Sequence, residues 1–135
     1  MGDQDAISWA GVEIRRTRYE QGSSVFRQGD EGTGVLYIER GTVRLSVVSA
    51  SGSEAVIEVL GPDAFFGEGC LVGQPWRVAT ATAVTPCTVV EVEKREMAQR
   101  LRTNAALAKR FLFHVVTRSV RIQGDLLDCL ALPTS

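Results

Sequence analysis

Apolar and polar residues alternate in short runs over the first two-thirds of the chain, and the repeat lengthens after Glu93. The runs at 12–19, 24–27, 35–40, 42–48, 54–60, 79–83 and 88–92 are short and rich in β-branched and aromatic residues, which predicts strands. They are punctuated by Glu20-Gln21-Gly22, Gln28-Gly29-Asp30-Glu31-Gly32, Arg40-Gly41, Ala50-Ser51-Gly52-Ser53 and Gly61-Pro62-Asp63. Each cluster holds residues that tolerate positive φ or preset a turn. Twelve of the 13 glycines lie in residues 1–73, so the tight turns belong to this part of the chain. Strands this short, separated by turns this regular, predict a mainly β domain of sandwich, jelly-roll or barrel type.

Beyond Glu93 the pattern becomes helical. Residues 94–102 predict a short helix, and Thr103-Asn104 offers an N-cap for a longer one from about Ala105. Leu112, Val115, Ser119, Ile122, Leu126 and Cys129 recur at alternating spacings of three and four, apolar except at Ser119, with Leu127 and Leu130 widening the stripe. Such a seam packs either on the β domain or on a second copy of the chain. A long terminal helix on a small β domain leaves its far end unburied, which favours the first half on the barrel and the second half on a partner. Gly124 weakens this helix by ~1 kcal/mol relative to alanine, and Pro133 ends it. The chain thus divides into an N-terminal segment 1–11, a β domain 12–93 and C-terminal helices 94–132.

Composition narrows the function. The 135 residues fit one domain with a helical extension, and 44% hydrophobic content excludes wholesale disorder. No apolar run approaches the ~20 residues of a membrane span, and Met1-Gly2-Asp3-Gln4-Asp5 lacks a signal peptide's basic start. A cytoplasmic protein without a membrane partner is expected. The net charge of −1 hides a segregation: residues 1–93 carry seven basic and 13 acidic side chains, residues 94–121 eight basic and one acidic. A basic helical segment can face nucleic acid, but a solvated helix surface is the commoner cause. Cys70, Cys87 and Cys129 form no C-x-x-C pair and read as reduced, mostly buried thiols. A single histidine, His114, argues against a metal site and against a cupin-type enzyme. No Ser-His-Asp, Cys-His or Walker pattern is present either, so no enzymatic activity is expected.

One stretch stands apart: Phe65-Phe66-Gly67-Glu68-Gly69-Cys70-Leu71-Val72-Gly73-Gln74-Pro75-Trp76-Arg77-Val78-Ala79-Thr80-Ala81. It combines a turn-forming glycine, an acid, a piece able to make one helical turn, a loop and an arginine opening a strand. Exposed amides at a helical turn suit an anion, and an arginine can clamp phosphate oxygens. Glu68 can accept hydrogen bonds from a sugar hydroxyl, as acidic residues do for ribose in dinucleotide folds. Charge-assisted bonds of this kind contribute ~1.5–3 kcal/mol each, and two or three of them bring a small charged ligand into the micromolar range in a preformed site. A structural salt bridge between Glu68 and Arg77 is the competing reading.

The spacing decides between them. Phe66-Gly67-Glu68-Gly69-Cys70-Leu71 and Arg77-Val78-Ala79-Thr80-Ala81 (residues 66–81) resemble the phosphate-binding cassette of cyclic nucleotide-binding domains, F-G-E-L-A-L, a loop, then P-R-A-A-T-V. The resemblance extends to Ser24-Val25-Phe26-Arg27-Gln28-Gly29-Asp30 (I-x-x-Q-G-D), to Tyr37-Ile38-Glu39-Arg40-Gly41-Thr42-Val43 (Y-I-x-x-G-x-V) and to Leu60-Gly61-Pro62-Asp63-Ala64-Phe65-Phe66-Gly67-Glu68 (L-G-x-G-D-F-F-G-E), covering roughly residues 17–132. The cassette wording is especially similar to effector domains of Crp/Fnr-type bacterial transcription regulators.

That resemblance implies a double-stranded β-helix (jelly roll) with a long dimerisation helix. It implies a ligand, cAMP or cGMP, and no cofactor. It puts the ribose 2′-hydroxyl on Glu68, the cyclic phosphate on Arg77, and supporting backbone contacts at Gly67, Gly69 and Cys70. Val78 stands where many cGMP-selective domains have threonine, which leans toward cAMP. Thr117, Arg118 and Arg121 are candidates to contact the base, and Leu112, Val115, Ile122 and Leu126 to form a homodimer. Gly69 departs from the usual leucine, and Trp76 from the usual proline. Haem or iron–sulfur variants of the scheme do not fit one histidine and scattered cysteines. Crp/Fnr proteins continue into a winged helix-turn-helix where this sequence reaches Leu132-Pro133-Thr134-Ser135, so this chain alone is not expected to bind DNA. Two functions follow: a regulatory sensor that signals through its C-terminal helix to a transcriptional output, or a dimerisation module whose cassette is vestigial or takes another small anion.

Overall fold

Residues 7–131 are described in the computed structural model, with side chains as far as Ser119. Eight strands form: β1 (Arg15–Tyr19), β2 (Ser24–Phe26), β3 (Gly34–Arg40), β4 (Val43–Val48), β5 (Glu54–Leu60), β6 (Phe65–Phe66), β7 (Thr80–Ala83) and β8 (Cys87–Glu93). A 3₁₀ turn (Glu68–Val72) follows β6, and helices α1 (Lys94–Thr103) and α2 (Ala105–Ala131) follow β8. The strands make two antiparallel four-stranded sheets, ordered β1-β8-β3-β6 and β2-β7-β4-β5. This is a jelly roll with two C-terminal helices.

The two sheets are buried differently. Leu36, Ile38, Val43, Leu45, Phe66, Ala81 and Val89 fill the space between them. Alternate residues of the first sheet, Val35, Tyr37, Phe65, Val90 and Val92, form a second cluster with Met97 of α1 and Leu107 of α2. Successive side chains in a strand point to opposite faces, so β3 reads as an unbroken apolar run because both its faces are covered. The second sheet has one open face, and its edge strand β5 leaves Val56, Ile57 and Val59 more than half exposed.

Each of the seven predicted runs holds a strand, with two differences. The first strand begins at Arg15 rather than residue 12, because Val12 and Ile14 leave the sheet to pack on the helix-side cluster with Ile7 and Trp9. Strand β6 was not predicted at all: its two residues pair with Leu36 and Tyr37 of β3. Just before it, Asp63 adopts a positive φ of 74° where the motif quoted above has glycine. Its carboxylate accepts a hydrogen bond from the Tyr37 hydroxyl, which anchors the conformation. Burial and Asp63 together push the Tyr37 hydroxyl well above its ordinary pKa.

The helix boundaries follow their caps. The Glu93 carboxylate accepts from the Arg95 and Glu96 amides, and the Asn104 side chain accepts from the Leu107 amide at 3.1 Å, as an N-cap should. Helix α2 then turns Leu107, Phe111, His114 and Arg118 toward β6, with the Phe65 ring 5.1 Å from Phe111 and 5.9 Å from His114. Among the described residues no helix is long and apolar enough to cross a membrane.

Phe65 therefore carries the docking of α2. Phe65→Ala is expected to cost about 3–5 kcal/mol, read as a lower urea midpoint, with a loss of near-ultraviolet aromatic signal beyond that of one phenylalanine.

Candidate functional site

The segment after β6 begins with a backbone constraint. Gly67 sits at φ 76°, a left-handed conformation, and a Cβ there would lie 2.7 Å from Arg77 Nη1 and 2.9 Å from Leu36. Glycine is thus required twice, for the dihedral and for the space. The chain reverses into the 3₁₀ turn and reaches Arg77 through an extended loop. The Gln28–Asp30 turn clasps that loop: the Arg77 amide donates to Asp30 O at 2.7 Å and the Gly29 amide to Arg77 O at 2.8 Å.

Arg77 is buried, with 7% of its surface exposed. It donates from Nη1 to Gly67 O at 3.0 Å and from Nη2 to Gly34 O at 2.7 Å, and its Cζ lies 4.4 Å from the Phe26 ring centroid. Its Nε is buried without a hydrogen-bond partner. Buried donors of this kind are rarely left unmatched, and here the orphan belongs to a cation lining a cavity.

That cavity measures about 670 Å³ and is walled by the cassette, by Ile57 and Glu58 of β5, and by Phe111, Val115 and Arg118 of α2. Gly67, Glu68, Gly69, Cys70, Arg77 and Val78, the six cassette positions picked out from sequence, all line it. Trp76 and Val78 stand at its rim, each well exposed. The Gln74 carboxamide occupies the space a side chain on Gly69 would fill, its oxygen 2.4 Å from the position of such a Cβ. The departure at Gly69 is therefore matched by Gln74. Cys70 donates weakly to Gly67 O, and burial raises its thiol pKa, so it stays protonated at neutral pH.

Arg118 enters the cavity from α2. It forks onto Glu58, with Nε 3.0 Å from Oε2 and Nη2 on Oε1, and Nη1 donates to Phe65 O at 3.0 Å. The same Nη1 reaches the Glu68 oxygens at 3.3 and 3.4 Å. Burial pulls the Arg118 pKa down, but the two carboxylates outweigh it and raise the value overall. One turn earlier, the His114 Nε2 is buried without a partner. Burial first, and the Arg118 charge second, push its pKa below the ordinary histidine value, against a backbone hydrogen bond at Phe65.

The α2 candidates are placed unequally. Arg118 lines the cavity, Thr117 is exposed outside it, and Arg121 lies outside the described side chains. Leu112 and Val115 of the predicted dimer stripe are placed differently. Val115 turns into the cavity against its own β domain, while Leu112 points outward beside Phe113 and Val116, all three at least half exposed. The side chains of Ile122, Leu126 and Cys129 lie outside the described residues. Glu58, Phe26 and Gln74 are the contributors that the sequence reading missed. Among the described residues no cluster of histidine, cysteine and carboxylate side chains is placed to hold a metal.

Comparison with known proteins converges on one family. A family model described as the cyclic nucleotide-binding domain matches residues 16–104. The cyclic AMP receptor protein of Thermus thermophilus is 38% identical over 71 residues, 53% of this chain and 33% of that protein. The crystal structure of the T. thermophilus catabolite activator protein superposes with a TM-score of 0.72 at 30% identity, over 87% of this chain and 55% of that one. The c-di-GMP-responsive global regulator CLP of Xanthomonas campestris gives 0.76 at 25% identity, over 89% and 59%. This chain thus spans between a third and three-fifths of the length of these relatives.

The lowered His114 value sets a pH dependence. A fold that holds this imidazole neutral gains stability that is present above about 6.5, the unfolded value, and is lost as pH falls through the lower folded value. Urea midpoints are expected to drop between pH 7.5 and 5.0, and His114→Asn should flatten that drop.

Proposed function

The chain belongs to the cyclic nucleotide-binding domain family, and from that premise we propose that it is a non-enzymatic regulatory sensor for a cyclic nucleotide. Its ligand is cAMP in preference to cGMP, because Val78 offers no hydroxyl beside the arginine. The observation that carries the reading is Arg77: a buried guanidinium bordering the cavity, held by two neutral carbonyls and paired with no carboxylate among the described residues. A cyclic phosphate supplies the anion this group lacks. Glu68, half-buried and on the long side of its contacts with Arg118, takes the ribose 2′-hydroxyl, and Arg118 lies where sugar and base meet the helix.

Signal output runs through α2. The helix contributes Phe111, Val115 and Arg118 to the cavity and shows Leu112, Phe113 and Val116 on its outer side. A second copy of the chain covers that outer face in a homodimer, so that a ligand touching the inner face biases the arrangement of two helices. In Crp/Fnr-type regulators such a change is passed to a transcriptional output domain. In this reading the protein acts in the cytoplasm.

A second reading has one observation in its favour: Glu68 already has a partner in Arg118. In that case the module dimerises and the cavity takes a different small anion, and a thermal-shift panel of nucleotides and metabolites separates the two.

Calorimetry is expected to give micromolar cAMP binding, and Arg77→Leu to weaken it by about 100-fold, the loss of roughly 3 kcal/mol of charge-assisted bonding. Absence of heat with millimolar cAMP and cGMP on folded protein would overturn the proposal.

A further inference from the structure

We propose that Glu58 is a positioning residue of this site: it draws Arg118 away from Glu68 and docks α2 on the β domain before any ligand arrives. What the loosely held Glu68 then does rests on the cyclic nucleotide reading; the docking itself does not.

The donors of Arg118 are shared unequally. Glu58 on β5 receives two of them in a fork, and Phe65 O receives a third at 3.0 Å. Glu68 is reached only at 3.3 and 3.4 Å, and only by the nitrogen already bonded to Phe65 O. Side-chain exposure follows the same order, 13% for Arg118 and 11% for Glu58 against 31% for Glu68. A drier, bidentate carboxylate holds a guanidinium more strongly than a wetter one at longer range. Glu58 therefore outcompetes Glu68, although both border the same cavity.

Two consequences follow. The fork and the Phe65 carbonyl hold α2 to both β5 and β6, so its position around residue 118 is set without a ligand. An arriving sugar then has to displace only the long contacts at Glu68 and leaves the fork intact. Remove the Glu58 charge, and Glu68 is the carboxylate left to Arg118 among the described residues lining the cavity; Arg118 closes on it and competes with the ligand for it.

The test uses the full chain with Glu58→Gln, Arg118→Gln, the double variant and Glu58→Asp, read by hydrogen exchange without ligand and by calorimetry with cAMP. Glu58→Gln is expected to speed exchange at residues 111–119 about ten-fold or more, leaving β3 and β8 unchanged, as local undocking does. It is also expected to weaken cAMP binding about ten-fold, as for truncating one partner of a buried charge pair. In the Arg118→Gln background, adding Glu58→Gln should change neither readout by more than about two-fold, since coupled residues are non-additive. Glu58→Asp, which keeps the charge, should exchange more slowly than Glu58→Gln. An exchange rate in Glu58→Gln within two-fold of wild type, or an effect undiminished when Arg118 is already gone, overturns the proposal. If wild-type protein binds no cyclic nucleotide, that reading fails by itself and the exchange arm still decides the role of Glu58.

Discussion

The site hangs on two adjacent phenylalanines. In a strand only two residues long, the pleat sends the Phe65 and Phe66 rings to opposite faces. Phe66 enters the core between the sheets and meets Phe26 at 5.8 Å, and Phe26 in turn lies under the Arg77 guanidinium. Phe65 enters the helix-side cluster, 4.9 Å from Tyr37 and in contact with Phe111 and His114, while its carbonyl receives Arg118. One dipeptide thus fixes the cassette arginine, Arg77, from below and the helical arginine, Arg118, from above. Gly67 follows it directly, so the cassette starts from a point that both cores hold in place.

Between those supports the cavity keeps two arginines in opposite electrostatic conditions. Arg118 faces two carboxylates, and its charge is largely answered within the protein. Arg77 is held by neutral carbonyls and an aromatic face, and among the described residues no carboxylate pairs with it. A buried cation without a counter-charge raises the local potential toward anions, and low-dielectric walls strengthen the effect. The potential inside the cavity is set by this uneven sharing of four charges, not by their sum.

Much of this was legible in the residues. The cassette was visible because its chemistry is local: a glycine that only a reversal requires, an acid, and an arginine nine positions on. The strands were visible wherever one face is polar or a glycine marks the turn. Strand β6 was not, because two residues carry no period, and its neighbours Pro62 and Asp63 read as turn. Val12 and Ile14 look like strand on composition, yet their burial is supplied by α1 and α2 and not by a partner strand. Glu58 was hidden for a different reason. Its partner is 60 residues away, and an acid on an edge strand ordinarily faces water. The helix did hold a clue: Leu107, Phe111, His114 and Arg118 recur at four, three and four, a face that competes with the apolar stripe through Leu112 and Val115.

The order of strands also governs how the chain is made. β8 lies between β1 and β3 and supplies the hydrogen bonds that join them, yet it is the last of the eight to leave a ribosome. Until residues 87–93 emerge, the first strand has no neighbour in its sheet, and β3 exposes an apolar edge that is later sealed on both faces. Long-range closure of this kind is slow, and the waiting intermediate is sticky. The helices, which depend on that sheet for a surface to pack on, come after it in both sequence and time. The helical wall, with Phe111, Val115 and Arg118, is therefore added to a cavity whose floor is already in place.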